Sequence, residues 1–350
     1  MRSRLCVDER MINSSEIDNR DIKYLYFCNI KETEMHLGIV CSSKSTLGHA
    51  SVARVMANKA ITQIKDLSKI SVISDQYKIL KPMNFFNKNI ELIELGSGKL
   101  PNFDLLCIDT MPFHNEDRFD LLLKTLPKNI PNIEIYHVGW AQNLPNISEK
   151  TIDKLKFYFK SLGMPRVVIL HSEEICNGVC DICNLSRRVG YEYCHTGLLL
   201  PEKRVGWDGG SNKFCCISGG GIESAYIVEM VHRSLDQLNN LSCDFFAGPY
   251  SELIEGTHKG INVIRNATNL FDRLHEYKFS ICRSGYSTCC EHIAAGVPTR
   301  FVPLDHSEQR TNAIWAGRYV RRFSVDNNRE LVSAPPELPE PHSFSWQSVI

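Results

Sequence analysis

Between Ser280 and Ala313 the chain reads SICRSGYSTCCEHIAAGVPTRFVPLDHSEQRTNA, and its polar side chains are spaced for ligand recognition. Glu291 stands inside an apolar-rich segment expected to be helical from about Ser287 to Ala295. A carboxylate there can accept two hydrogen bonds from a ribose diol, which a single hydroxyl side chain cannot match. The alternative is a solvent-facing helix glutamate. Ser284, Gly285 and Thr288 mark the start of that helix, where the hydroxyls either cap it or reach a nucleotide. Further along, a polar loop from Asp305 to Asn312 brings Glu308, Gln309 and Asn312 together. Upstream, Ser218-Gly219-Gly220-Gly221 lies between a strand-like run and a helix-like run. Bare backbone N–H groups and a helix N-terminus can hold a diphosphate there without a metal, although an isolated glycine run also makes an ordinary tight turn.

These residues need a scaffold, and the apolar runs supply one. The segments Met35 to Ser42, Ile70 to Ile73, Ile90 to Leu95, Leu105 to Ile108, Ile133 to Val138 and Val167 to Leu170 alternate with helix-like stretches. The clearest of those are Ala50 to Lys65 and Ser148 to Leu162. Strand–helix alternation predicts an α/β fold with a mostly parallel sheet. The pattern restarts at Phe214 to Ile217, followed by a helix over Glu223 to Leu238, so two Rossmann-like halves are expected. Residues 1–30 read as an N-terminal extension, 31–205 as the first domain with a Cys-rich insertion at about 172–195, and 206–325 as the second domain. Residues 326–350 read as a proline-rich, irregular tail.

Composition narrows the function classes. The 350 residues carry 40 Lys and Arg against 40 Asp and Glu, without a dominant basic block, which argues against nucleic acid as partner. No uncharged apolar run approaches the ~18 residues of a membrane span, so a soluble, cytoplasmic protein is expected. Many of the 14 cysteines fall inside strand- or helix-like runs and read as reduced core thiols.

The run Cys282-Arg283-Ser284-Gly285-Tyr286-Ser287-Thr288, continuing through Glu291 to Pro298, Val302-Pro303-Leu304 and Glu308-Gln309 to Asn312-Ala313, resembles the donor-site signature of glycosyltransferase family 28. In the first half, Gly48-His49 at a helix start and Phe103 to Thr110 agree more loosely. The resemblance implies a GT-B fold, two Rossmann-like domains facing across a cleft, with the nucleotide on the C-terminal side. It also implies a nucleoside-diphosphate sugar as donor, UDP-linked, and transfer with inversion to an acceptor that the sequence leaves unnamed. Family 28 directs the residues matching Glu308, Gln309 and Asn312 at the sugar hydroxyls. Where the peptidoglycan enzyme of that family has two glutamines, this chain has Glu308-Gln309, which leaves the sugar open because a carboxylate only accepts hydrogen bonds. The histidine after glycine implies a general base at His49, since imidazole titrates near neutral pH. Capping or packing at the helix start is the alternative. Asp109 either orients His49, acts as base itself or caps the following turn.

The family resemblance does not account for Cys176, Cys180 and Cys183, a C-x3-C-x2-C spacing followed by Cys194 and His195. Three thiols so spaced can converge on a structural zinc or iron-sulfur centre, with Cys194, His195 or His171 completing it, or can be free thiols in a loop. No cofactor is expected for catalysis. The same spacing occurs in radical S-adenosylmethionine enzymes, but its place between two Rossmann-like halves counts against that reading. A UDP-sugar hydrolase of the same fold and a non-catalytic nucleotide-sugar-binding protein are the remaining alternatives.

Overall fold

In the computed structural model, the described residues are 34–42, 47–109, 116–127, 130–137, 148–171, 181–202, 206–209, 211–219, 224–237, 241–258, 260–268, 270–303, 307–326, 329–333 and 340–348. The expected N-terminal extension lies outside them. Two sheets are formed, one from each half of the chain.

The first sheet contains β1 (Met35–Cys41), β2 (Leu67–Ser74), β3 (Ile90–Glu94), β4 (Leu105–Asp109), β5 (Asn132–His137), β6 (Arg166–Ile169) and β7 (Tyr193–His195). All its pairings are parallel, in the order β3-β2-β1-β4-β5-β6-β7. The connecting helices are α1 (Gly48–Gln63), α2 (Tyr77–Leu80), α3 (Glu116–Thr125), α4 (Glu149–Ser161) and α5 (Asp181–Val189). Parallel strands covered on both faces must be apolar throughout, and Leu37, Ile39, Val40, Val72, Leu106 and Ile108 are buried accordingly. Helix α5 falls inside the stretch read as a Cys-rich insertion, where no apolar run announced it.

The second sheet contains β8 (Lys213–Ile217), β9 (Ser242–Ala247), β10 (Gly256–His258), β11 (Ile261–Arg265), β12 (Ser280–Arg283), β13 (Thr299–Val302), β14 (Arg322–Asp326) and β15 (Arg329–Ser333). Its order is β10-β11-β9-β8-β12-β13-β14-β15, with antiparallel pairs only at the edges, β10 with β11 and β14 with β15. Its helices are α6 (Ser224–Gln237), α7 (Leu270–Arg273), α8 (Tyr286–Ala295) and α9 (Ser307–Ala316). Helix α8 ends where Gly296-Val297-Pro298 predicts. Gly296 adopts φ +69°, and its N–H closes on the carbonyls of His292 and Ile293.

Two features differ from the sequence reading. The polar stretch expected as a loop enters α9 at Ser307. Its buried positions Asn312, Trp315 and Ala316 follow helical spacing, but the polar member hides the period. The stretch expected as an irregular tail holds β15, and residues 340–348 return to the first sheet's core. Phe344 and Trp346 are buried there against Tyr136, and Trp346 Nε1 donates to the Met56 carbonyl at 3.0 Å. The returning segment passes tightly over Gly197, at φ +90°, where a β-carbon would meet the His342 carbonyl oxygen at 2.6 Å.

One apolar cluster among the described residues spans both halves. It runs from Ala53, Met56 and Ala57 of α1 through Tyr286, Cys289, Cys290 and Ile293 of α8 to Trp315, Phe344 and Trp346. The Tyr286 hydroxyl bridges the same seam, donating to Leu170 O at 2.6 Å and accepting from Leu199 N–H at 2.9 Å.

Candidate active site

In an open parallel sheet, ligands gather where the strand order reverses, because adjacent crossovers diverge there and leave a crevice at the carboxyl ends of the strands. The reversal lies between β1 and β4 in the first sheet and between β8 and β12 in the second. His49 opens the helix after β1 and Asp109 ends β4. Gly219 follows β8, and Ser284 and Gly285 follow β12. The residues singled out in the sequence therefore occupy both reversal points.

At the first, His49 Nδ1 lies 3.1 Å from Asp109 Oδ2. Asp109 is buried, while 36% of the His49 side chain is open to solvent. A carboxylate can only accept, so Nδ1 carries the proton and the lone pair sits on Nε2. Burial works against the charged imidazolium, but the Asp109 carboxylate, with smaller contributions from Glu308 and Asp75, outweighs it and raises the His49 pKa above 6.5. Glu308 belongs to the second half, so its charge acts on His49 across the seam.

At the second reversal point, Gly285 precedes α8 in extended conformation, and no side chain caps the helix start. Its first-turn N–H groups, which at any helix start lack intrahelical acceptors, are a kind of end suited to an anion. Gly219 adopts φ +74°, and its neighbour Ser218 accepts from Arg283 Nη1 at 3.4 Å. Arg283 thus places a cation beside both loops. Gly220 and Gly221 lie outside the described residues.

The remaining candidates divide by exposure. The half-exposed positions of α8 are Ser287, Thr288, Glu291 and Ala294, one helical stripe. Glu291 keeps only 13% of its side chain exposed and faces Arg54 of α1, with Arg54 Nη2 at 3.5 Å from Oε1. Burial raises the Glu291 pKa above the usual carboxylate range, and Arg54 counters part of that shift. Ser284 is buried and does not cap α8; its hydroxyl donates to Gln309 O at 2.7 Å. Asn312 is fully buried, donating to Ser284 O at 3.0 Å and accepting from Trp315 Nε1 at 2.9 Å. Where sugar contacts were expected, Asn312 fastens α9 to the start of α8. Glu308 and Gln309, one turn earlier, are half-exposed.

Cys176 and Cys180 of the expected metal centre lie outside the described residues. The backbone of Cys183 is in α5, and Cys194 is in β7. His171 packs edge-on against Tyr286 and Trp315. Among the described residues, no group of three His, Cys, Asp or Glu side chains is placed to hold a metal ion.

Residues 215–317, which contain the second reversal point whole, match the sequence profile of the Glycosyltransferase family 28 C-terminal domain. The second half is thus similar in sequence to that domain. The chain as a whole has the GT-B fold. A UDP-glucosyltransferase from Polygonum tinctorium capable of glucosylating indoxyl is similar over 85% of this chain and 86% of its own, at 15% identity and TM-score 0.51. Arabidopsis thaliana UGT89C1, complexed with quercetin, is similar over 84% and 86%, at 12% identity and TM-score 0.50. No curated protein matches in sequence. No helix among the described residues is long and apolar enough to cross a membrane.

Two site residues escaped the sequence reading. Arg283 stood inside the family 28 signature without a role. Arg54 is the lone basic residue in the apolar run Ala50 to Ala57, and that isolation was the available signal.

Proposed function

We propose that the protein transfers a sugar from a UDP-sugar to the hydroxyl of an acceptor with inversion at the anomeric carbon. The observation carrying this reading is the His49–Asp109 pair at one reversal point, with the uncapped family 28 helix start at the other. His49 Nε2 removes the acceptor proton as the oxygen attacks, and Asp109 stabilises the imidazolium that forms. The bond between the anomeric carbon and the diphosphate oxygen breaks on the opposite face. The diphosphate leaves toward the first-turn N–H groups of α8, the Gly219 turn and Arg283, which are oriented before charge develops. Glu291 takes the ribose diol, and Glu308 and Gln309 are the nearest candidates to read the sugar. UDP is chosen because a fold neighbour is named as a UDP-glucosyltransferase. A structural metal at Cys176, Cys180, Cys183 and Cys194 belongs to this proposal as a brace between the halves, tested by metal analysis of the purified chain.

The decisive experiment pairs two variants. His49→Ala is expected to lower turnover roughly 10²- to 10⁴-fold with UDP affinity unchanged. Glu291→Gln is expected to weaken UDP binding roughly 10- to 100-fold by calorimetry. Undiminished turnover in the first removes the base, and equal affinity in the second removes the ribose contact. Free sugar released from donor alone points to hydrolysis instead.

A further inference from the structure

Arg54 belongs to the first half yet makes its polar contacts in the second. It leaves the middle of α1 with its guanidinium 4.5 Å above the Phe85 ring, and Nη1 donates to the Thr268 carbonyl at 2.7 Å. The short bond and the aromatic face hold the group in place. Its approach to Glu291 is looser, at 3.5 Å to a single carboxylate oxygen. The distance exceeds that of a good charge-assisted hydrogen bond, so the pair attracts without consuming the carboxylate's acceptor sites. A bidentate pair would have engaged both oxygens and left a diol fewer acceptor sites. We propose that Arg54 is a positioning residue of the nucleotide site. It holds the Glu291 carboxylate in place from across the seam, and the ribose contact is complete only when both halves are assembled.

The chemistry of a diol contact explains the need. Two ribose hydroxyls donate best to an ionised carboxylate, and burial penalises the ionised form of Glu291. Among the described residues, the titratable groups facing it are Arg54 and two thiols. Arg54 approaches from α1, the Cys282 thiol lies below on β12, and the Cys290 thiol is the adjacent residue of α8. Burial pushes both thiols well above their ordinary range, so they stay neutral between pH 6 and 8. Arg54 therefore supplies the opposing charge. Without it, the Glu291 pKa rises further, and lowering the pH converts an acceptor into a group that must donate.

The inference rests on the ribose role of Glu291, and the test separates the two. Calorimetric affinities for UDP and for 2′-deoxy-UDP are measured at pH 6 and pH 8 on the full chain and on the Arg54→Met, Arg54→Lys and Glu291→Gln variants. The wild type is expected to prefer UDP by about tenfold or more at both pH values. Arg54→Met loses that preference at pH 6 and regains part of it at pH 8, Arg54→Lys retains it, and Glu291→Gln lacks it throughout. Thermal unfolding of each variant confirms folding, and Arg54→Gln replaces Arg54→Met if the latter does not fold. If Arg54→Met keeps the wild-type preference while Glu291→Gln loses it, the positioning role is overturned and the ribose reading stands. An equal loss for both nucleotides, with the preference kept, assigns Arg54 to the seam alone and also overturns the proposal. A wild type indifferent to the 2′-hydroxyl overturns the ribose reading, and the proposal with it.

Discussion

His49 and His292 are both engaged by hydrogen bonds, yet their environments push them in opposite directions. For His49 the carboxylates prevail over burial and the pKa rises, so the neutral base becomes available only as the pH climbs above its ordinary titration range. Turnover should therefore increase with pH along an acidic limb above 6.5. Asp109→Asn removes the largest opposing charge, and that limb is expected to move to lower pH while the maximal rate falls about 10²-fold or more. A pH–rate profile of the two proteins checks both effects. For His292 no carboxylate offsets burial. Its Nδ1 donates to Thr288 O at 2.7 Å, and its Nε2 accepts from Ser280 Oγ at 2.8 Å, so the neutral ring is fully satisfied and burial lowers its pKa to about 4. Between pH 6.5 and 4 the unfolded chain binds a proton that the folded one refuses, so stability falls as pH falls, by at most about 3 kcal/mol. Denaturant titrations should show a shallower loss over that interval in His292→Gln.

At the scale of elements, the two helix starts stand at the reversal points, and a helix and the C-terminal return brace them. Helix α9 holds the α8 start through Asn312 and Ser284, with Trp315 behind. The returning segment 340–348 supports α1 from below. Trp346 reaches the Met56 carbonyl, and its backbone N–H donates to Gln63 Oε1 at 2.9 Å. Trp346→Ala is expected to cost about 3–5 kcal/mol, the usual range for a fully buried tryptophan. Because α1 carries His49 and Arg54, the same variant should reduce turnover at temperatures well below its unfolding midpoint. Equilibrium unfolding and activity measured on one preparation test both statements.

At the scale of the molecule, one apolar cluster links α1, α8 and the C-terminal return across the two halves, and cooperative unfolding is the expectation that follows. Calorimetry should show one unfolding transition for the full chain. Tyr286→Phe removes the hydroxyl shared by Leu170 O and Leu199 N–H, and should lower the midpoint of that transition without dividing it, at a cost of about 1–3 kcal/mol. Two separate transitions in the wild type would contradict the shared core.

The sequence by itself determined the alternation of strands and helices, the α/β class, the break at Gly296 and the family 28 signature around Glu291. These depend on local apolar periodicity and on residue types at short spacing, which the chain displays directly. It also nominated His49 and Asp109 but left three roles open for Asp109, for the two stand 60 residues apart and meet because β1 and β4 are neighbours at the strand reversal. Three decisions belonged to the tertiary structure. Asn312 turned inward because α9 is a helix with a polar residue on its buried stripe. The C-terminal residues returned because Phe344 and Trp346 find an apolar seat beside Tyr136. Arg54 became a neighbour of Glu291 because α1 and α8 pack together across the seam. Each depends on contacts between residues far apart in the chain, and a local pattern carries no information about partners at that distance.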